Sequence, residues 1–242
     1  MKLSRKKLAV AAVLAAAMLM TACGGNIASS PAASSTASSE AASSRVPEEG
    51  VVEPVNMLWQ LDSLDDPETT TIVSADIASE VKDGKVTLRV YSYDIYDKDD
   101  VDGLAVGDKI RCHKEYMTGN QLAEIEVQSI EKNDRYSIVS INGGMENEDG
   151  LDLMQMDDDR YRTLTDDDYP VYYEVGEKTY TLAEDVVLKD SSADPQAEVV
   201  ETTGADAVAA ALNAEPDGWH VYNTTVVVQG GKILEVRRIW VP

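Results

Sequence analysis

The chain has 242 residues, with 44 acidic against 21 basic side chains and a formal net charge of −23 at pH 7. Phosphates demand Lys and Arg, so a surface this acidic excludes a nucleic-acid-binding role and disfavours direct contact with anionic lipid. With only two Cys and two His, a metal site built from several such ligands is excluded as well.

The first residues are the most informative. Lys2, Arg5, Lys6 and Lys7 precede an apolar run from Leu8 to Met20 built of Ala, Val, Leu and Met. The run is shorter than the roughly 20 residues a membrane span needs, and it has the length of a signal-peptide core. It ends Met20-Thr21-Ala22-Cys23-Gly24-Gly25: a bulky apolar residue, two small ones, then Cys. This order resembles the lipobox of bacterial lipoproteins. The resemblance implies that residues 1–22 are a cleaved lipoprotein signal peptide and that Cys23 is the lipidation site. Two acyl chains hold a protein stably at a bilayer where one does not, so the implied address is the outer face of the cell membrane.

From Asn26 to Arg45 the chain is mostly Ser and Ala, with Pro31. Such a composition buries too little apolar surface to offset its ordering entropy. Residues 23–50 are therefore expected to form a disordered tether, reaching roughly 25–30 Å. Ser-rich tethers of this kind also resemble those of Gram-positive lipoproteins; the resemblance stops there, and the body matches no family by motif. Loss of the signal leaves 17 basic against 44 acidic residues, a formal charge of −27, which favours solubility, cation association or a cationic partner. With Cys23 lipidated, Cys112 has no intramolecular disulfide partner. Phe is absent, while 11 Tyr and 3 Trp supply the aromatic packing.

The body reads as mainly β: a small antiparallel barrel or sandwich, with a second β-rich half containing one α-helix. A first unit is expected over 51–142. An early strand near Val55–Leu61 leads to Thr71–Val81 and Lys85–Tyr96, joined through Lys82-Asp83-Gly84, a strong hairpin signal. Val86, Leu88 and Val90 share one face of the second strand, and Tyr91, Tyr93 and Ile95 the other; this switch of parity predicts a bulge or a strand serving two faces. A helical turn at Asp99–Leu104 and strands at Lys109–Met117, Gln121–Glu131 and Tyr136–Ile141 follow. An OB-like barrel is one arrangement this order allows.

Asn142-Gly143-Gly144 marks a boundary, and a second unit is expected over 143–242. Its short strands fall at Leu151–Met156, Arg160–Leu164, Val171–Val175, Lys178–Leu182 and Val186–Lys189, before a loop from Asp190 to Glu198. One helix is expected at residues 205–213, with Thr203 as N-cap and Asp206 at its positive end. A final hairpin pairs His220–Val228 with Lys232–Trp240 through Gln229-Gly230-Gly231.

Several constellations invite chemistry. Cys112 and His113 are adjacent, which in a strand sends them to opposite faces; Cys112 reads as a buried thiol. Ser79–Lys82 and Ser129–Lys132 have penicillin-binding-enzyme spacing, but on strands, where Ser and Lys do not meet. Asp97, Asp99, Asp100 and Asp102 resemble a calcium loop without EF-hand spacing. The triplets Asp157–Asp159 and Asp166–Asp168 flank a five-residue strand, about 17 Å long, too far apart to share one ion. These clusters read as acidic loops, with no cofactor expected and calcium as the alternative. Met154 and Met156 offer soft sulfur but suit a core better. Trp59, Trp219, Trp240 and the pair Tyr172–Tyr173 are candidates for a sugar-stacking surface.

These residues favour a membrane-anchored extracytoplasmic lipoprotein with a non-enzymatic binding domain for an envelope or extracellular ligand. The alternatives are an envelope hydrolase using paired carboxylates and a calcium-dependent binding module.

Overall fold

The computed structural model describes residues 50–56, 60–114, 121–196 and 198–242. The signal segment, Cys23, the tether, Trp59 and the expected strand end at Met117 lie outside them. A short strand, β1 (Val51–Val52), precedes a 3-10 turn at Leu61–Asp65, where the sequence predicted the end of a strand. Next come β2 (Thr71–Ile77) and β3 (Lys85–Tyr93). Their turn obeys its sequence. Asp83 and Gly84 have φ of 52° and 69°, and Lys82 and Lys85 exchange backbone bonds of 2.9 Å. Positive φ at both central residues matches the twist of the strands being joined.

From Asp94 to Thr163 the chain builds a separate layer: β4 (Ile95–Asp97), α1 (Lys98–Gly103), β5 (Lys109–Cys112), β6 (Ala123–Glu126), β7 (Ile130–Asn133), β8 (Ile138–Ile141), β9 (Leu151–Gln155) and β10 (Arg160–Thr163). One sheet has the order β1-β5-β6 and another the order β4-β10-β9-β8-β7. They enclose a core that includes Tyr96, Val101, Ile110, Cys112, Ile141 and Leu153. The expected strand over Gln121–Glu131 is thus two strands, one in each sheet. The boundary expected after Asn142 falls inside this layer, because β8 and β9 on its two sides pair directly, Ile141 opposite Leu151. The Gly-rich stretch is a tight reversal: a Cβ on Gly144 would lie 2.7 Å from an Asp152 carboxylate oxygen.

The chain then returns to the first sheet through β11 (Tyr172–Ser191), followed by β12 (Val200–Thr203), α2 (Ala205–Ala214), β13 (Thr224–Gln229) and β14 (Lys232–Ile239). The three strands expected between Val171 and Lys189 are one. Gly176 lets β11 bulge rather than break, at φ 147°, as the pairing shifts between Glu174 and Gly176. The N-terminal half of β11 runs antiparallel to β3, and its C-terminal half runs parallel to β14. With β2 between β3 and β13, and β13 beside β14, five strands close a ring. The closed barrel, OB-like in having a helix before its fourth strand, therefore draws on both halves of the sequence, and residues between β3 and β11 form an insertion. The body is mainly β with one long helix, as expected.

Inward residues alternate along the barrel strands: Val73 and Ala75 in β2, then Val86, Leu88 and Val90 in β3. Truncating a fully buried residue such as Leu88 to Ala costs roughly 2–5 kcal/mol. Helix α2 closes the barrel with Val208 and Leu212. Its N-cap is Gly204, not Thr203, because Thr203 is still paired with Val187 in β12 and cannot turn back to cap. Asn213 fastens the other end, accepting from Val81 N–H at 2.8 Å and donating to Val81 C=O at 3.1 Å.

Candidate functional site: a tyrosine-lined cleft

The parity switch in β3 has a structural meaning. Val86, Leu88 and Val90 face the barrel interior, while Tyr91 and Tyr93 stand on its outer wall; past Asp94 the chain enters the second core with Tyr96. The bulge the switch predicted sits in the partner strand, at Val175–Gly176 opposite Val90 and Tyr91. Outer-wall residues of β2, β3 and β13 thus meet the inserted layer side by side. Between them lies a cleft of about 700 Å³ whose lining includes Tyr91, Tyr93, Tyr169, Tyr172 and Arg162. That volume is in the range of small-molecule sites.

The rings form a connected chain. Tyr93 meets Tyr172 edge-on at 5.8 Å, Tyr172 meets Tyr222 at 5.8 Å, and Tyr222 meets Tyr169 at 5.2 Å. Edge-to-face contacts at these distances are favourable and hold each ring in place. Tyr222 is 46% exposed, which leaves ring surface open to a ligand. Burial raises the pKa of the Tyr172 phenol above its ordinary value. The Tyr91 phenol is pushed up to about 12, first by burial and then by its 2.7 Å bond to Asp76. These phenols stay neutral at physiological pH; Tyr91 donates its proton to Asp76 and keeps its oxygen as an acceptor, while Tyr172, accepting from Ser74, keeps its proton to donate.

Arg162 supplies the charge. It rises from β10, half-buried, and donates to Thr163 C=O at 3.0 Å, Asp168 C=O at 2.9 Å and Met154 Sδ at 3.4 Å. Burial pulls its pKa below the usual guanidinium value, partly offset by Tyr93, Tyr172 and Asp168. Asp168 is the one carboxylate in the cleft lining, so paired carboxylates of the glycosidase kind do not meet here.

A second polar group lies where the barrel meets the insertion. Asp94 and His113 are buried; the Asp94 carboxylate accepts from His113 N–H and bonds its Nδ1. Tyr173 stacks on the imidazole at 3.5 Å. Among the described residues His113 Nε2 has no hydrogen-bond partner. The group joins the strand leaving the barrel, the insertion and the returning strand.

The remaining candidate residues scatter. Cys112 is fully buried in the inserted core. Ser79 sits on a bend and accepts from Thr87 N–H, while Lys132 pairs with Asp102; neither Ser-x-x-Lys copy is helical. Asp97 precedes α1, Asp99 and Asp100 occupy its first turn, and Asp102 is held by Lys98 and Lys132. Among the described residues no group of three Asp, Glu, His or Cys is placed to hold a metal ion. The Asp triplets do lie at opposite ends of β10. Met154 sulfur is engaged by Arg162, and Met156 lines the cleft. Of the expected sugar-stacking residues that are described, only Tyr172 reaches the cleft. Tyr173 points the other way, Trp219 is buried in the barrel core, and Trp240 stands outside the cleft lining at the C-terminus. Arg162, Tyr93, Tyr169 and Tyr222 had no distinguishing signal at all as site residues in the sequence.

Among the described residues no helix is long and apolar enough to cross a membrane. Comparison with protein-family models, with curated proteins and with solved structures finds no match for this chain.

Proposed function

We propose that the protein is a lipid-anchored, non-enzymatic binding module on the outer face of a bacterial membrane, and that its ligand site is the tyrosine cleft. The lipobox-like order ending at Cys23 supports the address. The cleft supports binding rather than catalysis, since its lining combines aromatic rings and hydroxyls with a single carboxylate and no thiol or imidazole. The observation that carries the reading is the run of four tyrosine rings in mutual contact beside a half-buried arginine. Rings locked this way offer contact area at little entropic cost, as binding surfaces do.

The test has two parts. Membrane fractionation should show Cys23→Ser released or unprocessed; unchanged processing and retention would remove the anchor from the reading. Purified full chain in detergent should co-sediment with isolated cell-wall polymer, and Tyr169→Ala or Tyr222→Ala should weaken that association about tenfold, in line with the cost of losing an aromatic contact. Association indifferent to both tyrosines would remove the cleft.

A further inference from the structure

We infer that the cleft receives a carboxylate-bearing saccharide, with Arg162 taking the carboxylate and the tyrosine rings taking the sugar faces. The inference rests on the cleft being the ligand site and adds the class of ligand. Its first support is an electrostatic mismatch. Arg89, Arg111, Arg160, Arg237 and Arg238 each have a carboxylate within 4 Å. Among the described residues Arg162, half-buried, bonds only to two carbonyl oxygens and a thioether, with the Asp168 carboxylate attracting it from beyond bonding distance. Desolvating a cation without an anion costs free energy. A protein with 44 acidic residues does not lack anions to supply. The three contacts leave Nε–H and one Nη1–H uncommitted, and an arginine with spare N–H groups suits a carboxylate.

The lining sets the rest of the ligand. Arg162 is its one cation, which suits one negative charge per binding unit and not a polyphosphate, and the acidic surface repels polyanions at large. Thr71, Ser74, Ser92 and Thr225 add aliphatic hydroxyls to the phenols. Groups that both donate and accept match a polyol. A sugar also presents an apolar C–H face to an aromatic ring, and four tyrosine rings line this cleft with Tyr222 packed against two of them. A peptide carboxylate would satisfy Arg162, but peptides laid along sheets recruit backbone from an open edge. Here the cleft floor is the wall of a closed ring of strands, where Thr71–Ser74 pair with β13 and Ser92 and Tyr93 pair with β11.

The experiment is calorimetric titration of the full chain in detergent with oligosaccharides of glucuronate, of galacturonate and of muramate. Each is paired with its carboxyl-reduced alcohol, and an acidic tripeptide serves as comparison. At least one acidic sugar should bind about tenfold tighter than its reduced form, and Arg162→Gln should erase that difference, the effect expected for losing one charge-assisted hydrogen bond. Arg162→Gln should keep the parent's circular-dichroism spectrum and a cooperative thermal melt, which shows the variant still folded, and Arg162→Lys should recover part of the preference. Equal binding of acid and alcohol, no binding by any of the three sugars, or tighter Arg162-dependent binding of the tripeptide would each overturn the inference. Polymer association sensitive to Tyr169 and Tyr222 would survive all three results, so the two readings fail separately.

Discussion

Asp94 binds His113 twice, accepting its backbone N–H at 2.5 Å and contacting its ring Nδ1 at 2.7 Å. The two residues come from different parts of the architecture: Asp94 is the corner where β3 leaves the barrel, and His113 follows β5 of the insertion. Tyr173, from the strand that returns to the barrel, stacks on the imidazole. One buried carboxylate therefore ties the exit, the insertion and the return together. Asp94→Ala would leave two buried donors without an acceptor, at roughly 1–3 kcal/mol each. We expect a loss of about 2–5 kcal/mol, read as a drop in melting temperature of the order of 5–15 °C for a body of this size. A change under about 1 °C would mean that the joint holds nothing.

Cys112 neighbours this joint and is pushed up to about 12, first by burial and then by the Asp94 carboxylate. An unfolded thiol loses its proton near the ordinary value of 9.0. A folded-state value raised in this way contributes stability that is complete below pH 9 and lost as pH rises towards 12. Tyr180, also pushed up to about 12 by burial, acts in the same direction through the upper part of that window. In the Cys23→Ser chain, so that one thiol remains, an aromatic disulfide reagent should leave Cys112 unmodified at pH 8 and react fully once denaturant is added. Rapid reaction in the native protein would place the thiol at the surface.

The features legible in the sequence are local. The Asp83-Gly84 and Gly230-Gly231 turns carry their conformation in their own residue types, and both form two-residue hairpins with positive φ. The helix after Gly204 is legible from its spacing, with Val208 and Leu212 on one face. Ring closure was not legible, because the β3–β11 ladder joins residues such as Leu88 and Lys178, and nothing local to either strand names the other. The insertion was hidden for the same reason: the Gly-rich stretch at 143–150 resembles a linker in composition but is a turn between paired strands.

The site was less legible still. Tyr172 drew notice as half of an aromatic pair, yet adjacency in a strand sends Tyr173 to the opposite side, onto His113. Arg162 sits in a strand of alternating polar residues, and an arginine is conspicuous only when its partners are known. Its lack of a carboxylate among the described residues is a tertiary fact. Asp94 did leave a trace, a carboxylate inside the run Tyr91-Ser92-Tyr93-Asp94-Ile95-Tyr96, where a solvated side chain would be out of place.

Gly176 is what makes β11 one strand instead of two. Its φ of 147° is poorly tolerated by residues with a side chain, and a Cβ there would lie 3.1 Å from Leu61 Cδ1. Gly176→Val should therefore cost about 1–3 kcal/mol in backbone strain, with more from displacing the 3-10 turn that carries Leu61. Thermal unfolding would register the cost. A bulge in a ring of strands also aims its neighbours, so the ring contact between Tyr172 and Tyr93 should loosen, visible as broadened aromatic NMR signals. A variant as stable as the parent would mean that β11 can pass this point without its bulge.

The acidic loops make calcium the simplest cation to test. Asp102, central to the cluster at 97–102, is bridged by Lys98 and by Lys132 at 3.0 Å. An ion would have to displace two ammonium groups that already neutralise it, and Asp99 and Asp100 flank the first turn of a short helix without converging on a common point. A specific site would stabilise by RT ln(1 + [L]/Kd), about 2.7 kcal/mol at a hundredfold excess over Kd, or roughly 5–10 °C in melting temperature. Diffuse screening of a surface this negative depends on ionic strength and not on the ion's identity. We expect melts in millimolar calcium, in magnesium and in sodium chloride matched for ionic strength to coincide within about 1 °C. A rise specific to calcium, abolished by Asp99→Asn with Asp102→Asn or by substitution within one Asp triplet, would show an ordered site and make calcium part of how this module binds.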